Sequence, residues 1–426
     1  MAEPADQPAD EALPQRYLAT RERTVALCAP LAVEDYGVQA MPDASPPKWH
    51  LAHTTWFFET FVLKPALPGY REFHPAFEHL FNSYYNGIGQ PFPRAERGRL
   101  SRPTVAEVRA YRAHVDAAMV KLLRDRHGQC IERTVLGLHH EQQHQELIVT
   151  DLKYNFGNNP LHPVYAGAPS ADPTDAAALQ FVECRGGLVH VGHDARTRHF
   201  AFDNEMPRHE VMLRPYRLAD RLVTNDEFRA FVDDGGYRRP ELWLAEGWAR
   251  VQAGTLGPAP LYWRTQHDEW FEYRLDGFAP LSAAAPVTHV SFLEADAYAR
   301  WAGARLPTEA EWEVAAAGVE SASVSAGNFA ESQRWHPTRA APAAGLRQLF
   351  GDCWEWTSSA YAPYPGYRPT AGTLGEYNGK FMSSQIVLRG GSCATPRSHI
   401  RATYRNFFYP ADQWQFTGVR LARDES

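Results

Sequence analysis

The chain has 426 residues, 44% of them hydrophobic and 22% charged, with a formal net charge of −7. That length accommodates two domains, and the composition is ordinary for a globular protein. The acidic balance excludes nucleic acid and anionic membrane as main partners, and no apolar run approaches the roughly 18 residues a membrane span needs.

Residues 1–12, acidic and proline-containing, read as a disordered N-terminus rather than a signal peptide. Cys28, Cys130, Cys184, Cys353 and Cys393 are scattered without a close pair, which fits a cytoplasmic protein and argues against a thiolate zinc site. A first helix is expected from Leu13 to about Ala29. A second runs from Trp49 to Leu63, entered through Pro46-Pro47. It carries His50 and His53 one turn apart among Trp49, Trp56, Phe57 and Phe58. Imidazoles buried there need a partner, either a backbone carbonyl or a metal ion.

Between Pro65 and Pro103 aromatics, proline and glycine dominate, as in Phe81-Asn82-Ser83-Tyr84-Tyr85-Asn86-Gly87. A long irregular connection inside a helical domain is usually functional. Thr104 and Glu107 then form a capping box for a third helix, with Val108, Tyr111, Val115, Met119 and Leu122 on one side. The fourth helix, from about Glu132 to Asn155, contains Leu138-His139-His140-Glu141-Gln142-Gln143-His144-Gln145-Glu146. His140 and His144, four residues apart, project from one face and can meet one metal ion. Three ligands are usually needed to hold a catalytic ion. Two other readings of this stretch stand beside the metal half-site: a polar helix facing solvent, and the His-Glu-x-x-His pattern of helical zinc proteases. Together the second and fourth helices can present three neutral imidazoles, but spacing leaves open whether His50 or His53 completes the set. Four such helices describe a bundle with a metal in its interior or mouth.

Residues 157–177 read as a linker punctuated by Pro160, Pro163, Pro169 and Pro173. From 178 to 424 the text turns to short β-rich runs such as Gly187-Leu188-Val189-His190-Val191. Capping boxes at Thr224–Glu227 and Thr308–Glu311 precede short helices. This half is α+β with much irregular structure.

These residues carry a resemblance. The first half, 13–156, is similar to a DinB-like four-helix bundle. The second resembles the formylglycine-generating/sulfatase-modifying fold, which is C-type-lectin-like. The likeness lies in Arg305-Leu306-Pro307-Thr308-Glu309-Ala310-Glu311-Trp312-Glu313, Gly351-Asp352-Cys353-Trp354-Glu355-Trp356 and Leu388-Arg389-Gly390-Gly391-Ser392. Joined, the two halves resemble the sulfoxide synthases of ergothioneine biosynthesis, the EgtB-like hercynine oxygenases. The resemblance implies a non-haem iron(II) held by His53, His140 and His144, with dioxygen as co-substrate. The implied reaction forms a bond between imidazole C2 of hercynine and the sulfur of a small thiol, cysteine or γ-glutamylcysteine, and oxidises that sulfur.

Further roles implied by the resemblance are binding of the substrate imidazole by Gln143 and clamping of the thiol substrate's carboxylate by Arg94 and Arg97. Tyr84 and Tyr85 resemble the paired tyrosines of a family branch that lacks an active-site tyrosine in the second domain, one of them a proton donor. Asn406, Phe407, Phe408 and Phe416 resemble the segment that closes over the trimethylammonium group. Two departures stand out. Asp412-Gln413 replaces the basic residue that usually precedes Trp414, leaving room for a selenosugar in place of the thiol. The paired cysteines of formylglycine-generating enzymes are also missing. A zinc-dependent DinB-type thiol transferase and a non-catalytic binding module are the competing readings.

Overall fold

The computed structural model describes residues 13–125, 128–167 and 176–425. The expected disordered N-terminus and much of the expected linker lie outside the described residues. The chain divides into two compact units: the first ends at Leu161 but also takes in Ala371–Tyr377, and the second comprises His162–Thr370 and Asn378 onward.

The first unit is helical. Its four main helices are α1 (Leu13–Leu27), α2 (Pro47–Phe58), α3 (Val105–Arg124) and α4 (Gly128–Gly157). On α1 the buried positions Leu13, Tyr17, Arg21, Thr24 and Leu27 recur at helical spacing and form one face. Pro47 sits in the first turn of α2, where a missing N–H costs nothing. The capping box of α3 forms as expected: Thr104 Oγ1 accepts from Glu107 N at 3.2 Å and the Glu107 carboxylate accepts from Thr104 N at 2.7 Å.

The second helix does not run uniformly to Leu63. After Phe58 it loosens into a π-turn, Glu59–Leu63, and Glu59 is buried where it accepts from Tyr70 Oη at 2.8 Å and Tyr111 Oη at 2.6 Å. The connection between α2 and α3 contains only a short helix, Phe77–Leu80, and a 3-10 segment, Arg94–Arg99. It supplies Phe81, Tyr84, Tyr85 and Arg97 to the bundle.

The second unit is α+β with small sheets. Strands β1 (Phe181–Cys184), β4 (Tyr216–Ala219) and β12 (Ala422–Asp424) form one sheet, and β2 (Gly187–Val191) pairs with β3 (His209–Leu213). A third sheet joins β5 (Trp263–Gln266), β6 (Glu269–Arg274) and β7 (Gly277–Pro280). The fourth, in the order β10-β9-β8-β11, joins Asn406–Phe408, Ile386–Arg389, Trp354–Ala360 and Thr417–Gly418. Both expected capping boxes are present, and Ser291–Glu294 adds a third.

The recurring sequence signatures of this half build the fold. Arg389 bonds Glu309 and Glu313, each at 3.0 Å, and Arg305 bonds Glu311 at 2.8 Å. Gly390 has φ +97°, and a Cβ there would lie 2.4 Å from the Leu349 carbonyl oxygen, so only glycine fits.

Candidate metal centre

All twelve residues of α2 are buried, so its histidines must be satisfied from within the bundle. On α4, His140 and His144 are 2% and 8% exposed, and His139, Gln142 and Gln145 are buried with them. The reading of a solvent-facing polar helix is thereby overturned. The helix is keyed in place by Glu141, which accepts from Arg21 Nη1 at 2.8 Å, Thr24 Oγ1 at 2.7 Å and Arg112 Nη2 at 2.9 Å. Burial alone would raise this carboxyl, but the two guanidiniums outweigh it and hold it below the usual range. A glutamate engaged on three sides is not the general base of a zinc protease, so that reading fails as well.

His53, His140 and His144 each offer one ligand nitrogen, all within 4.8 Å of one another. His53 Nε2 and His140 Nε2 are 3.2 Å apart. His53 Nδ1 donates to the Phe81 carbonyl at 2.6 Å, which sets its tautomer and leaves Nε2 for a ligand. Its ring lies between two indoles: Trp49 at 4.5 Å and 11°, and Trp56 at 5.5 Å and 16°. His50 does not join the group; its Nδ1 meets His144 Nδ1 at 2.8 Å.

Burial, reinforced by the neighbouring histidines and Arg97, pushes the His144 and His53 imidazoles well below their ordinary pKa. Burial first, with His50, pushes His140 down to about 3. All three are therefore neutral near neutral pH, the form that binds metal. His140 Nδ1 is buried with no hydrogen-bond partner among the described residues. Neutral imidazoles that converge while one keeps an unsatisfied nitrogen make poor core packing but fit a divalent transition ion.

Around this group lie the other expected site residues of the first unit. Tyr84 and Tyr85 have ring centroids 4.6 Å apart and hydroxyls at 3.5 Å, and Tyr85 lies 5.7 Å from Trp56. Burial raises both phenols, so both keep their protons. Arg97 is only 3% exposed, its guanidinium 3.4 Å over Trp49, with Nη1 donating to Ser45 Oγ at 2.9 Å and Nη2 to Ser83 Oγ at 2.8 Å. Among the described residues no carboxylate reaches Arg97 at ion-pair distance. Arg94, its expected partner, is exposed and donates to the Asp43 carbonyl.

Sequence reasoning missed Tyr377. Its hydroxyl donates to Gln143 Oε1, and its ring is 5.6 Å from His140 and 6.3 Å from Tyr84. Asn86 N and Gly87 N hold the neighbouring Glu376 carboxylate at 3.0 and 2.8 Å. Tyr377 thus joins Tyr84 and Tyr85 as a candidate beside the three histidines. No signal pointed to it, because a loop residue some 230 positions from Gln143 has no periodicity or motif to connect the two.

In the second unit, Asn406, Phe407 and Phe408 form β10. Phe407 stacks on Tyr361 at 4.0 Å and Phe408 meets Trp414 edge-on at 5.9 Å. Phe416 is fully buried, 4.7 Å from His289. Gln413, part of the Asp412-Gln413 departure before Trp414, donates to the buried Glu294 at 2.7 Å.

Comparison with known proteins agrees with this architecture. Residues 16–148 match the DinB superfamily and 166–425 the sulfatase-modifying factor enzyme 1-like domain. Hercynine oxygenase of Mycolicibacterium smegmatis is 34% identical over 447 residues, covering 98% of this chain and 99% of that protein. The hercynine oxygenase of Mycolicibacterium thermoresistibile is also 34% identical, over 90% of this chain and 88% of its own. The formylglycine-generating enzyme of Streptomyces coelicolor is 33% identical but covers 60% of this chain. A DinB-type bundle holding three buried histidines, continued into a sulfatase-modifying-factor domain, defines a class of two-domain oxygenases. Within that class, the full-length identity shows that the chain belongs to the hercynine oxygenase family, the EgtB-like sulfoxide synthases.

Proposed function

We propose that this oxygenase joins hercynine, through C2 of its imidazole, to the sulfur of cysteine or γ-glutamylcysteine, using iron(II) at His53, His140 and His144. The observation that carries the reading is the convergence of three neutral imidazoles with no carboxylate in the ligand set. Bound by His53, His140 and His144, neutral ligands that leave its charge uncompensated, such an ion would supply the redox chemistry that couples thiol and imidazole to dioxygen. The overall reaction balances: the thiol S–H and the imidazole C–H are lost, the C–S bond forms, one oxygen atom ends on sulfur and the other leaves as water.

The chain's own residues orient and protonate. Gln143 offers its amide to the substrate imidazole, and Tyr377 fixes that amide from the other side. The protonated phenols of Tyr377, Tyr84 and Tyr85 form the proton source. Arg97, a buried cation with no carboxylate at ion-pair distance among the described residues, meets the anionic end of the thiol substrate, with Arg94 at the rim. Phe407 and Phe408 are the proposed aromatic faces for the trimethylammonium group and Asn406 a polar contact, with Phe416 packed in support. The five cysteines, scattered without a close pair in sequence, support a cytoplasmic setting, and among the described residues no helix is long and apolar enough to cross a membrane.

The test is anaerobic loading with iron(II), addition of hercynine with each thiol, then admission of air while oxygen uptake and product mass are followed. The expected result is one dioxygen consumed per sulfoxide formed. Thiol consumption with zinc and without dioxygen would establish the DinB-type transferase instead. A selenosugar is the second donor to try, because Asp412-Gln413 stands where a basic residue usually precedes Trp414, and Gln413 is bonded to Glu294.

A further inference from the structure

His50 has no part in the ligand set, yet both of its nitrogens are engaged deep in the bundle. Its Nδ1 lies 2.8 Å from His144 Nδ1, and its Nε2 lies 3.1 Å from Asp151 Oδ2. His50 and Asp151 are 1% and 2% exposed. Asp151 is held in turn, since its Oδ2 also accepts the Ser45 backbone N–H at 2.8 Å.

Donor and acceptor roles follow link by link. A carboxylate oxygen can only accept, so His50 presents its proton at Nε2. A neutral imidazole protonated at Nε2 has its lone pair at Nδ1. The proton between the two facing Nδ1 atoms therefore belongs to His144. With Nδ1 protonated, His144 keeps its lone pair at Nε2, the nitrogen left to bind an ion. His53 reaches the same state through the Phe81 carbonyl. His140 has no such partner at Nδ1 among the described residues. One ligand is thus anchored by a neutral carbonyl, one by a carboxylate through an imidazole, and one by neither.

We infer that Asp151 and His50 are positioning residues, a relay that holds His144 in its Nδ1–H tautomer and delivers Nε2, pre-oriented and more basic, to the metal. The inference rests on the three-histidine metal reading above. Partners of this kind orient metal-bound imidazoles and raise their donor strength, and losing one typically weakens metal binding about 10–100-fold.

The experiment uses the full chain, stripped of metal and titrated anaerobically with cobalt(II), whose visible absorption reports ligand geometry; affinity is read by competition with a chelator. His50→Phe removes the acceptor for His144 and is expected to weaken cobalt binding about 10–100-fold and to change the absorption envelope. Asp151→Asn, whose amide oxygen still accepts from His50 but without the charge, gives a smaller loss in the same direction. His50→Gln restores an acceptor and recovers part of the affinity. Thermal unfolding of the metal-free forms is measured alongside. If His50→Phe lowers the melting temperature while cobalt affinity and spectrum match the wild type, the two residues are packing alone and the inference fails. If the wild-type chain binds neither cobalt(II) nor iron(II), the underlying metal reading falls, an outcome distinct from failure of the relay.

Discussion

At the scale of single residues, neighbours in sequence do opposite work. His140 turns its imidazole to His53 and His144 while Glu141 is consumed by Arg21 and Arg112. A buried carboxylate between two guanidiniums is not dispensable, because its loss strands the buried Arg112 and takes one of two carboxylates from Arg21, which also pairs with Asp116 at 2.7 Å. Glu141→Gln is therefore expected to destabilise the fold by about 3–5 kcal/mol, measured by denaturant unfolding. A catalytic glutamate would instead lose activity at unchanged stability. Arg97 is the inverse case. It is desolvated, lowered well below its ordinary pKa chiefly by burial, and stacked on Trp49, which itself stacks on His53. The sequence marked Arg97 only through resemblance, since nothing local distinguishes it from Arg94 or Arg99.

At the scale of elements, the site depends on how closely α2 and α4 approach. Gly137 allows that approach: a Cβ there would lie 2.5 Å from Phe58 Cε1 and 3.0 Å from Phe57 Cε1. Alanine in place of glycine in a helix gains up to about 1 kcal/mol of propensity. Overpacking against two fully buried rings costs about 1–3 kcal/mol, so the loss prevails. Gly137→Ala should lower the unfolding midpoint and weaken metal binding, because pushing the helices apart separates His53 from His140. The helices and their caps were readable from periodicity, proline and Thr-x-x-Glu patterns. The π-turn after Phe58 was not, since it arises from Glu59 meeting Tyr70 and Tyr111 across the bundle.

At the scale of the whole molecule, the chain is interleaved: Ala371–Tyr377 belongs to the helical unit although the sequence on both sides belongs to the other. That return brings Tyr377 to Gln143 and Glu376 to the Asn86–Gly87 backbone. Tyr377→Phe keeps the ring and removes only the hydroxyl. It is expected to leave metal affinity unchanged and to lower sulfoxide formation about 10²–10⁴-fold, the usual worth of a positioned proton donor. Turnover within a factor of two of wild type would assign the proton to Tyr84 or Tyr85 alone.

The amino-acid sequence by itself determined what depends on neighbours within a turn or two: the helices, their caps, and the pairing of His140 with His144. Through its paired motifs it also determined the family. Tertiary structure alone decided everything that joins distant segments. It brought His53, which the motif resemblance had named and spacing had not, to the other two histidines, turned Glu141 into a structural ion-pair centre, buried Arg97 with no carboxylate at ion-pair distance among the described residues, and carried Tyr377 across to Gln143. Local patterning reflects backbone geometry that repeats every few residues, whereas a site assembled from four chain segments depends on packing that no short window of sequence contains.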